Sequence, residues 1–197
     1  MGLTIGIDVD NVVCNSTEQV LKYINERAGT NLKLSDITNY FIEDYLPAEH
    51  RHFVSQAFHD KEMWRTVTLL PDVKECIEQL QQFGHEIYFV TATTFANINK
   101  KSSFLRKHFP QINIDNRLIN ILNKQLLRLD ILIDDYLENL LYDRTYYSVA
   151  FDYPWNQTDK PLPMFTRAKN WNEVIQKVLM IESLIKENEY GNKNKVF

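Results

Sequence analysis

Short apolar runs rich in β-branched residues alternate along this chain with longer segments of helical pattern. The apolar runs, each short enough for a buried strand, are residues 3–9, 86–91, 130–135 and 147–151. The segments with a helical pattern are residues 16–27, 95–108, 137–142 and 171–187, and an amphipathic stretch with Val73, Ile77 and Leu80 that starts at Pro71 and ends before Gly84. Strands separated by helices predict an α/β fold, with a Rossmann-like, mostly parallel sheet and helices on both faces.

The interval between the first two predicted strands is far longer than the dozen or so residues that a crossover needs. It begins with a predicted helix, for which Ser16 is the expected N-cap, and it is rich in aromatic rings. We therefore predict a small helical cap at residues 15–70, inserted after the first strand. The catalytic core would comprise residues 1–14 and 71–190, followed by a polar tail at 191–197.

Acidic and hydroxyl side chains follow three of the predicted strands. The first strand ends in Asp8 and Asp10, and the third ends in Asp134 and Asp135. The second strand ends in Thr91. Ligands of open α/β sheets bind beyond the carboxyl ends of the strands. The sequence therefore predicts a functional site at this edge of the sheet.

Two carboxyl groups in one site can divide the work of a hydrolase. One ionised carboxylate can act as a nucleophile, while a second, protonated group gives its proton to the leaving oxygen. Asp134, with Asp135, offers the hard oxygen ligands that Mg²⁺ prefers, and Thr91 and Lys124 could bind phosphoryl oxygens. Each feature alone has a plainer structural interpretation, such as a helix cap or a surface charge. Their joint occurrence at strand ends favours a site.

Composition narrows the function classes further. None of the five glycines lies in a dinucleotide-binding or Walker A pattern, so any phosphate must be bound by other groups. The formal charge of −4, without a basic stripe, argues against a nucleic acid polymer as partner. No apolar run approaches the ~20 residues that span a membrane. With two cysteines and no C-x-x-C motif, we expect a cytoplasmic protein.

Four short motifs resemble those of the haloacid dehalogenase (HAD) superfamily of phosphatases. They are Asp8-Val9-Asp10-Asn11-Val12, Val90-Thr91-Ala92-Thr93, Lys124 and Ile133-Asp134-Asp135. Three further features are similar to the 5'(3')-deoxyribonucleotidase family: Leu69-Leu70-Pro71-Asp72-Val73, the ten-residue step from Lys124 to Asp134, and Phe151-Asp152-Tyr153-Pro154-Trp155-Asn156. The resemblance spans about residues 3 to 175 and implies a HAD-like fold with an early cap.

The resemblance implies catalytic and metal-binding roles for the acidic residues. Asp8 would be the nucleophile, forming an aspartyl-phosphate, and would also bind Mg²⁺. Asp10 would act as general acid and then as general base, and would hold the metal through its backbone carbonyl. Asp134 would be the third protein ligand of Mg²⁺, with Asp135 in support.

Phosphate binding is implied for Thr91, Ala92, Lys124 and Lys101. Two positions depart from the family pattern. Ala92 stands where the family commonly has Ser, which removes one hydroxyl from the phosphate site. Tyr136-Leu137 stands where the animal enzymes have Arg-Pro.

The resulting hypothesis is a Mg²⁺-dependent phosphomonoesterase, a hydrolase of the 5'-nucleotidase type, that cleaves 5'(3')-deoxyribonucleotides to nucleoside and phosphate. Phe41 and Trp64 are the candidate base-binding residues, since aromatic faces stack on bases, although rings in a small cap also form its core.

Alternatives are a phosphatase of another small ester, such as a sugar phosphate, and a receiver-type phosphoacceptor or nucleotide-binding module without hydrolytic activity. We expect a small-molecule nucleotide as the partner. The sequence leaves open whether the protein forms a homodimer.

Overall fold

A six-stranded sheet forms the centre of the molecule in this computed structural model, which describes residues 2–140, 147–157 and 165–193. The strands are β1 (Thr4–Asp8), β2 (Glu86–Thr91), β3 (Leu118–Asn120), β4 (Ile131–Asp134), β5 (Tyr147–Phe151) and β6 (Phe165–Ala168). They lie in the order β3-β2-β1-β4-β5-β6, and each neighbouring pair is parallel. The predicted α/β fold with a mostly parallel sheet is confirmed.

The sheet is covered on both faces. All four residues of β4 are buried, and successive strand residues point to opposite faces of the sheet. Parallel sheets of this kind have near-continuous apolar strands, which is why the central strands were predicted from the sequence. The two edge strands, β3 and β6, were not predicted because they are short and mostly not buried, so they lack a continuous apolar run.

Seven α-helices surround the sheet in the described ranges. They are α1 (Ser16–Ala28), α2 (His52–His59), α3 (Lys61–Thr66), α4 (Val73–Gln82), α5 (Phe95–His108), α6 (Ile114–Arg117) and α7 (Trp171–Lys193). α7 packs against α4 and against β5 and β6. None of the helices in the described part of the chain is both long and apolar enough to cross a membrane.

Two helix predictions need correction. Of the predicted helix 137–142, the described residues contain only a 3₁₀ turn, Leu137–Asn139; residues 141–146 lie outside the described ranges. The last helix continues to Lys193, beyond the end predicted near residue 187. It thus runs into the predicted polar tail, of which residues 194–197 are not among those described.

The segment 15–70 contains α1, α2, α3 and three 3₁₀ turns. Two short antiparallel segments, residues 13–15 and 68–70, connect it to the rest of the protein. Here the N–H of Asn15 donates to the carbonyl of Thr68 (3.1 Å), and the N–H of Leu70 donates to the carbonyl of Val13 (2.9 Å). The helical content agrees with a cap, while the division into core and cap at residues 15 and 70 stays a prediction.

Candidate active site

The loop after β1 carries two aspartates. Asp8 is the last residue of β1 and is buried, whereas Asp10 lies in the loop and is half-buried. Asn11 then has a left-handed backbone, with φ of 58°, a conformation in which asparagine is enriched. The N–H of Cys14 donates to the carbonyl of Val9 (3.2 Å) and closes the turn. Both carboxyl groups are thereby held at the carboxyl edge of the sheet.

The Asn11 side chain joins this loop to two other parts of the site. Its Nδ2 donates to Asp135 Oδ2 (3.0 Å), and its Oδ1 accepts hydrogen bonds from the N–H of Thr17 (3.0 Å) and the hydroxyl of Ser16 (3.4 Å). Asn11 thus satisfies an N–H group that the first turn of α1 leaves without a helical partner. The prediction of Ser16 as N-cap is wrong, because Asn15 holds that position and Ser16 is the first helical residue.

Lys124 lies between the predicted nucleophile and a predicted metal ligand. Only 1% of the residue is exposed, and its Nζ donates to Asp8 Oδ1 and to Asp134 Oδ2, the latter at 2.7 Å. Burial alone would lower the pKa of Lys124, but the carboxylates of Asp134 and Asp8 raise it above its usual value. Burial raises the pKa of Asp8 to about 7 against the opposing effect of Lys124. The site therefore holds a buried cation beside the predicted nucleophile.

Lys101 makes a second buried contact of this kind. It is 1% exposed, it belongs to α5, and its Nζ donates to Asp10 Oδ2 and to the hydroxyl of Thr91 (2.6 Å) at the end of β2. The other carboxylate oxygen of Asp10, Oδ1, is buried and has no hydrogen-bond partner among the described residues. One side of the Asp10 carboxyl group is thus held by Lys101, while Oδ1 is buried without a partner within the described ranges.

Three buried carboxylates form a group with the chemistry of a metal site. Asp8, Asp134 and Asp135 each offer an oxygen, and these oxygens lie within 4.8 Å of one another. Asp134 is oriented by the N–H of Tyr136 (2.9 Å) and by Nδ2 of Asn139 (3.0 Å). Burial and the charges of Asp8 and Asp134 raise the pKa of Asp135. A hard divalent cation such as Mg²⁺ fits this all-oxygen donor set.

Asn156 links the acidic loop to the end of β5. Its side chain is fully buried, and Nδ2 donates to the backbone carbonyls of Asp135 (2.9 Å) and Phe151 (2.7 Å). Oδ1 accepts from the N–H of Tyr153 (3.1 Å) and from Arg167 Nη1 (3.0 Å). Sequence reasoning placed Asn156 in a family motif but gave it no role. The structure shows that it supports the loop that carries the metal-site acids.

A cavity of about 350 Å³ opens above these groups, within the size range of small-molecule sites. Asp10, Ala92 and Lys101 line its lower end. Its other walls include the cap residues Phe41 and Phe58. The cavity therefore connects the charged edge of the sheet with aromatic residues of the segment 15–70.

The two predicted base-binding residues have different positions. Phe41 is 54% exposed and lines the cavity, where its ring lies edge-on to Tyr40 with centroids 5.6 Å apart. Tyr40 in turn packs on Tyr136 at 3.9 Å. Trp64 is only 8% exposed, is not among the cavity residues, and its Nε1 donates to the carbonyl of Phe58 (2.8 Å). The structure thus brings Phe41 to the cavity but not Trp64, whose ring is buried within the cap.

The structure brings together eight of the residues singled out in the sequence: Asp8, Asp10, Thr91, Ala92, Lys101, Lys124, Asp134 and Asp135. Their catalytic and binding roles remain predictions. Asn11, Asn97, Asn139 and Asn156 also contribute to the site, but no role was predicted for them. Asn11 and Asn156 lie in the family motifs quoted above, whereas Asn97 and Asn139 have no charge pattern or spacing that could have identified them.

Comparison with solved structures identifies the fold. A HAD family hydrolase from Deinococcus radiodurans R1, crystallised with bound phosphate and sodium, superposes with a TM-score of 0.62 at 13% identity, covering 92% of this chain and 96% of that one. A haloacid dehalogenase-like hydrolase from Xanthomonas campestris gives a TM-score of 0.61 at 12% identity, covering 94% and 98%. At such identities the likeness shows the fold, which is that of a HAD-superfamily hydrolase.

Residues 2–184 match the family described as "5' nucleotidase, deoxy (Pyrimidine), cytosolic type C protein", and the chain belongs to this family. A 5'(3')-deoxyribonucleotidase of Clostridium acetobutylicum is 30% identical over 173 residues, covering 86% of this chain and 91% of that protein. A second, from Bacillus subtilis strain 168, is 28% identical over 184 residues, covering 91% and 100%. The protein is a hydrolase of the 5'-nucleotidase type, with nucleotide phosphatase activity.

Proposed function

We propose that this protein hydrolyses 5'- and 3'-monophosphates of deoxyribonucleosides to nucleoside and phosphate, through a phosphorylated Asp8 and with Mg²⁺ as cofactor. The observation that carries this proposal is the meeting of two acids and two buried lysines below a cavity of nucleotide size. The named 5'(3')-deoxyribonucleotidases among the relatives support the substrate class.

The acids Asp8 and Asp10 would carry the two chemical steps. A carboxylate oxygen of Asp8 attacks the phosphorus, the bond from phosphorus to the nucleoside oxygen breaks, and Asp10 gives that oxygen a proton. Water then attacks the phosphorylated Asp8, Asp10 takes the proton of the water, and the bond between Asp8 and phosphorus breaks. The position of Asp10 in the cavity lining supports this exchange of protons with a bound molecule.

Asp8, Asp134 and the backbone carbonyl of Asp10 would hold Mg²⁺, with Asp135 in support. When bound, the ion would neutralise charge on the phosphoryl oxygens. Lys124 keeps the carboxylates of Asp8 and Asp134 close together through its two hydrogen bonds. Its buried charge would also stabilise the negative charge of the phosphoryl group.

The other end of the cavity would receive the nucleoside. Thr91, Lys101 and the backbone at Ala92 would bind the phosphate at the lower end. Phe41 would contact the base, and stacking on an aromatic ring contributes roughly 1–3 kcal/mol per base in single-strand complexes. Trp64 does not enter this proposal, because its ring is packed inside the cap.

Phosphate release from a panel of esters tests the proposal. We expect turnover of dUMP and dTMP with Mg²⁺, and none after EDTA. Asp8→Asn should reduce turnover below detection, and Asp10→Asn should reduce it about 10²- to 10⁴-fold, with circular dichroism showing that both variants are folded. The panel should include ribonucleotides, 3' esters and sugar phosphates. Full activity of Asp8→Asn, or a clear preference for a sugar phosphate, would contradict the proposal.

We propose that the protein acts in the cytoplasm. Cys14 and Cys76 are both buried, free thiols, and such unpaired cysteines are typical of a reducing compartment. Fractionation of cells that produce the protein, followed by the nucleotidase assay, checks the location.

A further inference from the structure

Lys100 precedes the site lysine on α5 and forms a separate set of contacts. Its Nζ donates to the backbone carbonyls of Phe58 (3.3 Å) and His59 (2.9 Å) and to Asn97 Oδ1 (3.0 Å). A lysine ammonium has three donors, and here each of them has a partner. Lys100 therefore connects α5, which carries Lys101, to the end of α2 in the cap.

The contact on the cap side falls at the C-terminus of α2. The last carbonyls of a helix have no partner inside the helix, and a cation near them interacts favourably with the helix dipole. The carbonyl of Phe58 accepts from Trp64 Nε1 (2.8 Å) as well as from Lys100. Trp64 and Lys100 together thus satisfy the end of this helix, one from inside the cap and one from the core.

The position of α2 matters because this helix forms one wall of the cavity. Val54, Phe58 and His59 all line it. Since Lys101, one residue after Lys100, contacts Asp10, the same turn of α5 is fixed both to this wall and to the predicted acid. Movement of α2 away from α5 would widen the end of the cavity opposite the phosphate.

The contact with Asn97 determines which way its amide faces. An ammonium group cannot accept a hydrogen bond, so Oδ1 of Asn97 must point to Lys100 and Nδ2 must point away from it. Asn97 lines the cavity and is 4% exposed. Within the described part of the chain, no group accepts a hydrogen bond from this Nδ2. Nδ2 is therefore the polar atom of this side chain that is left to donate a hydrogen bond to a molecule bound in the cavity.

We propose that Lys100 is a positioning residue for the nucleotidase reaction: it holds the α2 wall against α5 and turns the Asn97 amide towards the substrate. Asn97 would then donate a hydrogen bond to an acceptor oxygen of the nucleoside, such as a carbonyl of the base. This inference rests on the proposed function, because it assigns the cavity end beyond the phosphate to a nucleoside. Lys100 itself need not touch the substrate.

Three variants and two substrates test it. dUMP is compared with 2-deoxyribose 5-phosphate, which has the same phosphate and sugar but no base. We expect Lys100→Met and Asn97→Asp to raise KM for dUMP about tenfold, the effect of one lost hydrogen bond to a charged or buried group. kcat, and kcat/KM for the base-free ester, should stay within about threefold of wild type. Asn97→Asp keeps the acceptor for Lys100 and removes the donor, so it separates the two roles.

Lys107→Met is the matched control, because Lys107 lies on the same helix and is exposed. It should behave as wild type with both substrates. Equal losses on both substrates in Lys100→Met, or none, would overturn the positioning role. A wild-type KM in Asn97→Asp would overturn the hydrogen bond to the nucleoside. A wild-type protein that is inactive on every nucleotide would instead refute the proposed function, and this inference with it.

Discussion

At the residue scale, two buried lysines hold the site together. Burying a charge costs several kcal/mol unless a partner and further hydrogen bonds offset the cost. Lys124 has Asp8 and Asp134 as partners, and Lys101 has Asp10 and the hydroxyl of Thr91. Each lysine thus brings together side chains from distant parts of the chain. The same arrangement keeps positive charge where the proposed reaction brings a phosphate.

The departure at Ala92 gives a prediction for phosphate affinity. Ala92 is exposed and lines the cavity, so a hydroxyl added there could reach a phosphoryl oxygen. We expect Ala92→Ser to lower the inhibition constant of inorganic phosphate by about threefold to tenfold, the value of one hydrogen bond to a charged group. The free energy of unfolding should change by less than about 0.5 kcal/mol, as for most surface substitutions.

Inhibition of dUMP hydrolysis by phosphate measures this effect. Ala96→Ser serves as control, because Ala96 is an exposed residue of α5 outside the cavity lining. An unchanged inhibition constant in Ala92→Ser, or an equal change in Ala96→Ser, would show that the position does not face bound phosphate.

Individual acidic and hydroxyl residues of the site were predictable, whereas the roles of its amides were not. Asp8, Thr91 and Asp134 end strands of a parallel sheet, and that position alone brings them to one edge. The contact between Lys101 and Asp10 spans 91 positions and was not predicted, since the family resemblance only placed Lys101 near the site. Asn97 and similar amides gain their roles from partners that no local pattern specifies.

At the element scale, burial decided which predictions succeeded. β2 and β5 have the bounds expected from their apolar runs, because strands inside a parallel sheet are apolar along their length. β3 at one edge has three residues and lacks that signal.

Trp64 was considered as a base-binding residue from its place among the cap rings. Its helix, α3, turns the ring into the cap interior instead.

The pairing of β1 with β2 leads to a prediction about pH. His85, just before β2, is buried and accepts a hydrogen bond at Nδ1 from the N–H of Leu3 (3.1 Å). Burial lowers the pKa of His85, and of the neighbouring charges Glu182 opposes this effect while Lys186 adds to it. The unfolded chain then binds more protons than the folded protein just below the usual histidine pKa of about 6.5. The free energy of unfolding should therefore fall as the pH decreases from about 7.5 to 5.5.

Denaturant unfolding at several pH values measures this dependence. In His85→Asn the side-chain oxygen can replace Nδ1 as acceptor without titrating, so the pH dependence should be weaker than in wild type. His52→Asn, at an exposed position of α2, should retain the wild-type dependence. Identical slopes for His85→Asn and wild type would rule out this role of His85.

At the scale of the whole molecule, the strand order determines where the chemistry lies. β1 is central, with β2 on one side and β4 on the other, so the loops after these three strands converge on one point. The antiparallel pairing of Val13 with Leu70 and of Asn15 with Thr68 connects the segment 15–70 to the loop after β1. The parallel sheet thus supplies the acids, and the cavity above them is lined both by the segment 15–70 and by residues that follow β2, such as Ala92 and Asn97.

The acidic group also makes the stability of the whole molecule depend on cations. Asp8, Asp134 and Asp135 are buried close together, and a ligand that binds only the folded state stabilises it by about 2.7 kcal/mol at a hundred times its Kd. For a chain of this size we expect saturating Mg²⁺ to raise Tm by roughly 5–10 °C. Differential scanning calorimetry with Mg²⁺, against KCl of equal ionic strength, measures the shift. Asp134→Asn should lose it, whereas Asp115→Asn, at an exposed acid of α6, should keep it. A shift that persists in Asp134→Asn, or that KCl reproduces, would place the cation elsewhere.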